Sequence, residues 1–281
     1  MKIKILSDST CDLSQELLDK YDIDIVPLIV MKSGEEFLDG VTITPADIFD
    51  HVAKGGELCS TAARSMVVYG EIFAKYASEY DGIIHINIGS DFSSSYQNAC
   101  LAAAEFDNVR VIDSASLCTG QGLVVLKACE LAKTVSSLDE AVDALNEYKT
   151  HIEGSFVVDK LDYLAKGGRC SSATAMGANL LNLKICIELK DNHMSVGKKY
   201  RGNFSKCLLT YIKDRLEGRE DIDTSIGMLT YTAGTSEEVI AGVREAIAQF
   251  GAFDTLYEST AGCTISCHCG PSTLGIMFAR K

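Results

Sequence analysis

The stretch DGIIHINIGSDFSSSYQNA, residues 81–99, decides the fold of this chain. Its first part, at 81–88, is mostly apolar and has the length of a strand that is buried on both faces, as strands of a parallel sheet are. Consecutive serines at 93–95 then offer N-cap residues for a helix, which the pattern predicts over 93–106. A buried strand that leads through a short polar loop into a helix is the repeating unit of α/β proteins.

The same unit recurs through the first half of the chain. Further strands are predicted at 3–6, 23–30, 109–113 and 155–159, with helices between them. Two of these helices have clear starts, since Thr44 and Pro45 form an N-cap followed by proline, and Ser137 with Glu140 forms a capping box. This alternation predicts a parallel sheet covered by helices.

The pattern changes after about residue 165. Two strands are predicted around the turn Asp191-Asn192, a long helix over 203–217, and further strands near the C-terminus, the last of them at 263–269. We therefore expect an α/β protein of two domains. These are an N-terminal parallel α/β sheet domain at 1–165 and a C-terminal α+β domain at 166–281, which meet at the predicted loop Lys166-Gly167-Gly168.

Composition narrows the class of protein. The 281 residues include 26 Lys and Arg against 39 Asp and Glu, a net charge of −13. Such a chain is not expected to bind nucleic acid, whose phosphates require clusters of lysine and arginine. Stable membrane insertion is not expected either, because no apolar run approaches about 18 residues. The N-terminus lacks the apolar core of a signal peptide, so a cytoplasmic location is expected, with the 11 cysteines reduced.

Small hydroxyl residues follow several of the predicted strands. Ser9 follows the first strand, Ser93 and Ser94 follow the strand at 81–88, Ser114 follows the strand at 109–113, and Thr61 lies in the separate loop LCSTAARS. The carboxyl ends of parallel strands meet at one edge of the sheet, where ligands bind in this fold class. Hydroxyls and helix N-terminal amides bind an anionic oxygen, so these loops predict a shared anion site. Each serine taken singly is explained equally well as a helix cap.

The segment CTISCHC at 263–269 has the composition of a metal or redox site. Its alternation predicts a strand, with the cysteines on one face and Thr264, Ser266 and His268 on the other. On a strand His268 points away from the cysteines, and the sequence lacks a second ligand pair of the CxxC or HxxxH type, so no metal is expected. The cysteines are interpreted as small buried residues, and His268 is equally consistent with a structural and a functional role.

Seven segments occur in an order that resembles the DegV family, which includes the fatty-acid-binding subunits of bacterial fatty acid kinase. They are SDSTCDL at 7–13, STAARS at 60–65, GSDFSSSYQNA at 89–99, DSASLCTGQGL at 113–123, DYLAKGGRCS at 162–171, GKKYRG at 197–202 and HCGPSTLGI at 268–276. The resemblance spans nearly the whole chain. It implies a two-domain fold with one long-chain fatty acid, similar to palmitate, buried between the domains.

The resemblance also implies which residues hold the fatty acid. By motif position, its carboxylate is bound by the hydroxyls of Thr61 and Ser93. Arg169 and His268 match positions that are associated with the carboxylate end and with a partner protein. The strand-end pattern adds further ligand-binding candidates, which are Ser9, Ser94 and Ser114. The residues that depart from the commoner ones in these loops are Ala62, Arg64 and Ser94.

The resemblance implies that the protein carries its ligand and does not transform it. The resemblance implies that the carboxylate is presented to a separate ATP-dependent kinase, which forms acyl phosphate, so neither a catalytic residue nor a cofactor is expected. The sequence agrees in lacking the nucleotide-binding motifs GxGxxG and GxxxxGK[ST]. Two alternatives remain: an acyl transferase or hydrolase that uses Ser93 or a cysteine with His268, and a lipid sensor.

Overall fold

The computed structural model describes residues 1–176, 183–190 and 192–281. The strands in these ranges are β1 (Ile3–Asp8), β2 (Asp24–Val26), β3 (Ile29–Lys32), β4 (Glu35–Leu38), β5 (Ser60–Ala62), β6 (Gly82–Asn87), β7 (Val109–Asp113), β8 (Ile152–Val158), β9 (Leu183–Lys190), β10 (His193–Arg201), β11 (Ile222–Tyr231), β12 (Thr255–Thr260) and β13 (Thr273–Arg280). The helices are α1 (Gln15–Tyr21), α2 (Pro45–Ala53), α3 (Met66–Ala77), α4 (Ser95–Ala103), α5 (Cys118–Leu131), α6 (Leu138–Tyr148), α7 (Asp162–Gly167), α8 (Ser171–Met176), α9 (Phe204–Leu216), α10 (Glu237–Gln249) and α11 (Cys263–Cys269). Within the described ranges, none of these helices is long and apolar enough to cross a membrane.

The first sheet is parallel, as predicted. Its strand order is β2-β1-β6-β7, and the three pairings that join these strands are all parallel. All residues of β6 are buried, as expected for a strand that is covered on both faces. The loops that follow β1, β6 and β7 therefore leave the sheet at the same edge.

The predicted strand at 23–30 is divided at Pro27. Its first part, β2, joins the parallel sheet, while β3 pairs with β4 and β5 in a small antiparallel sheet. Proline cannot donate a hydrogen bond to a neighbouring strand, so the ladder ends there. The small sheet stays close to β1, because Leu28 N–H donates to Ser9 Oγ (3.1 Å). This arrangement brings Thr61, on β5, close to the residues that follow β6 at the edge of the parallel sheet where its strands end.

The second sheet has the strand order β10-β9-β8-β13-β11-β12. Its strands pair antiparallel except for β11 and β12, which are parallel. The predicted hairpin is present as β9 and β10, and Asp191 of its predicted turn lies outside the described residues. Strand β8 comes before residue 165 and nevertheless pairs with β9 and β13. The division into domains 1–165 and 166–281 stays a prediction.

Helix α5 lies between the two sheets and is buried along most of its length. Its polar side chains are satisfied inside the core. The hydroxyls of Thr119 and Thr230 are 2.6 Å apart, and Gln121 Nε2 donates to Asp8 Oδ1 (2.7 Å). Because it contacts strands of both sheets, α5 joins the parallel sheet to the second sheet.

The strand predicted at 263–269 is wrong, because these residues form the helix α11. The amides of its first turn bond to carboxylates from distant parts of the chain. Asp39 accepts from the N–H groups of Cys263 (2.8 Å) and Thr264 (3.0 Å), and Asp12 accepts from the preceding amide (2.9 Å). Such carboxylates satisfy amides that have no partner within the helix itself. This stabilisation comes from tertiary contacts, which the local alternation of residue types does not report.

The loop predicted at 166–168 is also corrected by the structure. Lys166 and Gly167 are the last residues of α7, and Gly168 follows in the left-handed conformation with φ of 70°. Glycine adopts this conformation at little cost, and it is a common way for a helix to end. The two glycines therefore mark the end of a short helix that leads directly to Arg169.

Candidate functional site

A cavity of about 290 Å³ lies between α11 and the edge of the parallel sheet at which its strands end. Its volume is near the lower end of the range for small-ligand sites in proteins. The lining side chains form two groups. The polar wall consists of Thr61, Ser93, Ser94, Arg169, Thr264 and His268, and the apolar wall consists of Leu28, Ala62, Ala63, Ile88, Phe92, Leu117, Leu164, Met194, Ile265 and Cys269.

Thr61 and His268 are hydrogen-bonded to each other in the polar wall. The distance between Thr61 Oγ1 and His268 Nε2 is 2.8 Å. Thr61 is the middle residue of β5, and His268 lies near the end of α11. The fold thus brings together two predicted site residues that are 207 positions apart in the chain.

His268 is held as a neutral imidazole. Its pKa is lowered to about 4, because burial disfavours the charged ring and because the Arg169 cation lies nearby. Its Nδ1 is buried without a hydrogen-bond partner among the described residues and lies against Gly167, where an added Cβ would collide with it. The tautomer sets the direction of the bond to Thr61. With the proton on Nε2, His268 donates and leaves the Thr61 hydroxyl to donate into the cavity.

Ser93 and Ser94 lie in the loop between β6 and α4. The helix predicted over 93–106 is shorter than expected, since α4 begins at Ser95 and ends at Ala103. Ser93 Oγ lies 2.8 Å from Ser95 Oγ and also accepts a hydrogen bond from Ser95 N–H (3.2 Å). Ser93 is therefore fixed by the first residue of the helix while its hydroxyl lines the cavity.

Arg169 is held at the polar wall by main-chain carbonyls. Its guanidinium donates to the oxygens of Phe92 (3.3 Å) and Gly167 (2.8 Å). These bonds orient the cation but do not neutralise its charge. Arg169 and His268 also line a neighbouring cavity of about 120 Å³, so both separate the main cavity from a second opening on the α7 side.

Thr264 is a cavity residue that was not among the predicted ligand-binding residues. It lies one helical turn before His268, so both side chains project from the same face of α11. Its Oγ1 is buried and has no hydrogen-bond partner within the part of the chain that the structure describes. The period of two that was assumed for 263–269 also puts Thr264 on the face of His268, but it adds Ser266 to that face. In the structure Ser266 instead donates to the carbonyl of Ala261 (3.3 Å).

The apolar wall continues beyond the main cavity. A further space of about 20 Å³ shares Leu117, Ile265 and Cys269 with it. This space is also lined by Phe156 and Met277, which belong to the second sheet. The apolar wall therefore extends from the parallel sheet into the core of the second sheet.

Ser9 and Ser114 do not line this cavity in the described chain. Ser9 donates to Asp39 (2.9 Å), and Ser114 donates to the carbonyl of Ser116 (3.1 Å) and accepts from its N–H (3.2 Å). Both hydroxyls are used to hold loops in place. Ser9 is connected to the site only indirectly, through the Asp39 carboxylate, which accepts hydrogen bonds from the first amides of α11.

The side chains considered for nucleophilic catalysis are paired differently from a catalytic arrangement. His268 Nε2 is bonded to Thr61, whereas Ser93 is bonded to Ser95. Cys269 lines the cavity, but burial raises the pKa of its thiol to about 12, so it stays protonated and weakly nucleophilic. All 11 cysteines lie in the described ranges, and none of them forms a disulfide. Among the described residues, no group of three or more His, Cys, Asp or Glu side chains could hold a metal ion.

Comparison with known proteins identifies the family. The chain matches the DegV family model, described as "Uncharacterised protein, DegV family", over residues 2–281. This chain belongs to the DegV family. A DegV domain-containing protein of Clostridium acetobutylicum is 31% identical to it over 284 residues, which cover 100% of this chain and 99% of the relative. The protein DegV of Bacillus subtilis is 30% identical over 289 residues and is matched over 100% of both chains.

Solved structures of the family have the same fold. A DegV family protein from Thermus thermophilus, described for its fatty acid binding, superimposes with a TM-score of 0.89 at 30% identity, over 100% of both chains. DegV of Bacillus subtilis, described as a fatty acid binding protein, has a TM-score of 0.84 at 26% identity, also over 100% of both. A stearic acid-binding protein from Eubacterium ventriosum has a TM-score of 0.86 at 28% identity, over 99% of this chain and 98% of the other. These likenesses confirm the predicted fold class.

Proposed function

We propose that this protein binds a long-chain fatty acid in the cavity of about 290 Å³. The observation that carries the proposal is the division of the cavity into a wall of hydroxyls, one imidazole and one guanidinium, and a wall of apolar side chains. A fatty acid has the same two parts. Relatives that share the fold at 26–30% identity are described as fatty acid binding proteins, which supports the same ligand class here.

In this proposal the carboxylate of the fatty acid lies at the polar wall. The hydroxyls of Thr61 and Ser93 donate hydrogen bonds to it. Thr264 Oγ1, which is buried without a partner in the described chain, gains the carboxylate as its hydrogen-bond partner. Hydrogen bonds to a charged acceptor contribute about 1.5–3 kcal/mol each, so a few such donors balance the loss of water from the head group. Arg169 supplies the positive charge, while His268 stays neutral and orients Thr61.

The acyl chain is placed along the apolar wall. It runs from the polar wall past Ile265 and Leu117 into the space next to Phe156 and Met277. Each methylene that leaves water contributes about 0.8 kcal/mol, from which the cost of ordering the chain is subtracted. The residues that line this path come from both of the predicted domains, 1–165 and 166–281.

We propose further that the protein is a carrier that presents the carboxylate to a separate ATP-dependent kinase for acyl phosphate formation. The lack of nucleotide-binding motifs supports a second protein as the source of the phosphoryl group. Neutral hydroxyl donors also suit this role, because they leave the carboxylate more nucleophilic than a bidentate arginine pair does. The separate pairing of Ser93 and His268 argues against the hydrolase alternative.

Native mass spectrometry of the purified protein, followed by lipid extraction, tests the fatty acid site. We expect one bound long-chain fatty acid for each protein molecule, with its length and unsaturation given by the extract. Purified protein without a lipid, and without affinity for added palmitic acid after delipidation, contradicts the proposal.

Reconstitution with a bacterial fatty acid kinase catalytic subunit and ATP tests the carrier role. Acyl phosphate is expected only when both proteins are present. A lipid sensor binds the fatty acid equally well but gives no acyl phosphate in this assay. Hydrolysis of an activated ester that is lost in Ser93→Ala favours the enzyme alternative.

A further inference from the structure

The two glycines at the end of α7 are required for different reasons. Gly168 has a φ of 70°, a conformation that strains other residues, and a Cβ added to it would meet no atom within 4 Å. Gly167 is the last residue of α7 and is not among the residues with a positive φ. Its backbone conformation is therefore open to every residue, and the glycine there needs another explanation.

That explanation is the space that the His268 ring occupies. A Cβ added to Gly167 would lie 2.3 Å from His268 Nδ1 and 3.2 Å from its Cε1, and real Cβ atoms do not come within 3.0 Å of another atom. The Nδ1 edge of the ring thus packs on the Gly167 backbone, while Nε2 on the other edge is bonded to Thr61 Oγ1 at 2.8 Å. A side chain at position 167 would force the ring out of this place.

The same contact decides which nitrogen of the ring carries the proton. His268 is neutral, since burial and the Arg169 cation lower its pKa to about 4, so only one of its nitrogens is protonated. Nδ1 is buried and has no hydrogen-bond partner among the described residues. A proton on Nδ1 would be an unpaired buried donor pressed against a Cα–H group of Gly167, which is costly. On Nε2 the proton is donated to Thr61, and the free Nδ1 lone pair faces the weakly donating Cα–H group.

Thr61 then keeps its own proton for the cavity. Its Oγ1 accepts from His268 and has no other hydrogen-bond partner in the described ranges, and the residue lines the cavity. With the proton on Nδ1 instead, Thr61 would donate to His268 and present only oxygen lone pairs to a ligand. Those lone pairs repel a carboxylate, which is only an acceptor.

We propose that Gly167 is a positioning residue that holds the His268 ring with its proton on Nε2, directs the Thr61 proton into the cavity and thereby makes the site select a carboxylate over a neutral head group. This rests on the proposed fatty acid site, because it specifies how that site recognises its ligand. A carboxylate needs donors and strengthens each bond by its charge. A fatty alcohol both donates and accepts, so it adapts to either orientation of the Thr61 hydroxyl.

The position of the proton can be measured without a ligand and without a substitution at position 167. Long-range ¹H–¹⁵N NMR spectra of the histidine rings at pH 7 distinguish protonated from unprotonated ring nitrogens, and the signals of His268 are those absent from His268→Gln. We expect Nε2 to be the protonated nitrogen. A His268 ring protonated at Nδ1 overturns the proposal, whether or not any variant of Gly167 folds.

The substitution Gly167→Ala tests the positioning role. We expect the His268 ring signals to shift and the affinity of delipidated protein for dodecanoic acid, measured by calorimetry, to fall about tenfold, with little change for dodecan-1-ol. The ratio of the two affinities is the decisive measurement, because a general loss of structure lowers both. In a His268→Gln background, where the ring is absent, Gly167→Ala should not change the ratio further.

Two glycine variants serve as controls. Gly242→Ala adds the same methyl group within α10, where it would meet no atom within 4 Å, and should leave both the ratio and the His268 signals unchanged. Gly168→Ala strains the end of α7 without touching the ring, so it should lower stability and leave the ratio unchanged.

An unchanged ratio in Gly167→Ala overturns the proposal, as does an equal change in Gly168→Ala or a further change in the His268→Gln background. If the unaltered protein binds neither dodecanoic acid nor longer fatty acids, the proposed function itself fails. If it binds them and the ratio is unaltered in Gly167→Ala, only the positioning role is refuted.

Discussion

The polar and apolar walls of the cavity are built in different ways. In the polar wall three side chains are held by directional bonds: Thr61 bonds to His268, Ser93 bonds to Ser95, and Arg169 donates to main-chain carbonyls. The apolar wall consists of packed side chains whose contribution depends on buried area and hardly on direction. In the proposed fatty acid site, the polar wall would therefore set which head group is accepted, and the apolar wall would set how tightly the acyl chain is held.

The largest effect is expected when both anchors of the polar wall are removed. In the double variant Thr61→Val with Ser93→Ala, the affinity for palmitic acid should fall about a thousandfold, since two bonds to a charged acceptor are worth about 4 kcal/mol together. Titration of delipidated protein measures it. The exposed pair Thr224→Val with Ser225→Ala, on β11, is the matched control. Full lipid retention in the double variant would show that these hydroxyls do not bind the carboxylate.

A change at Asp39 should affect both walls together. Its carboxylate accepts from two amides of α11 and from Ser9, so Asp39→Ala leaves buried donors unpaired. We expect the free energy of unfolding to fall by about 3 kcal/mol in urea titrations. Fatty acid and fatty alcohol should then lose affinity equally, because α11 carries residues of both walls. A selective loss for the acid alone contradicts this account.

The apolar wall is tested on its own by Ile265→Phe. Ile265 lines both the main cavity and the space that continues it, so a larger side chain there shortens the path of the acyl chain. Affinity for an 18-carbon acid should fall about tenfold relative to a 12-carbon acid, a loss of about 1.4 kcal/mol. Leu101→Phe, at an exposed position of α4, serves as the control. An unaltered chain-length preference would show that the acyl chain follows another path.

The last expected effect is a dependence of stability on pH that comes from His268 in the polar wall, and it is small over any single pH unit. His268 has a pKa of about 4 in the folded protein and the ordinary value of 6.5 when unfolded, so between these values the unfolded chain binds more protons. Stability is then complete above pH 6.5 and decreases as the pH falls toward 4. His268→Gln in delipidated protein should reduce this slope by about 1 kcal/mol per pH unit, measured by urea unfolding at several pH values. An unreduced slope in His268→Gln contradicts the assignment.

The parallel sheet and its ligand edge were predictable from the sequence for a definite physical reason. Buried strands such as β6 are recognisable from their apolar composition, and the carboxyl ends of parallel strands necessarily meet. Ser93 could therefore be assigned to the site from its position after a strand. Thr61, which follows no strand of that sheet, depended on the resemblance to the family.

Helix α11 was not predictable in the same way. Its seven residues are too few for a helical period to stand out, and its cysteines and hydroxyls alternate as a strand does. What makes it a helix is the pair of carboxylates at Asp12 and Asp39, more than 200 positions earlier in the chain. Thr264 shares a face with His268 in the assumed strand as well, but only the tertiary structure shows that it lines the cavity.

All faces of helix α11 are in contact with the core or the cavity. Cys263 and Cys267 pack into the cluster around Val30 and Ile48, Ile265 and Cys269 join the main core, and Thr264 with His268 faces the cavity. Each added residue turns a helix by about 100°. A single insertion within α11 would therefore exchange all three faces at once, turning His268 into the core and a cysteine into the cavity. The number of residues in this segment therefore matters to the site as much as the identity of any one of its side chains.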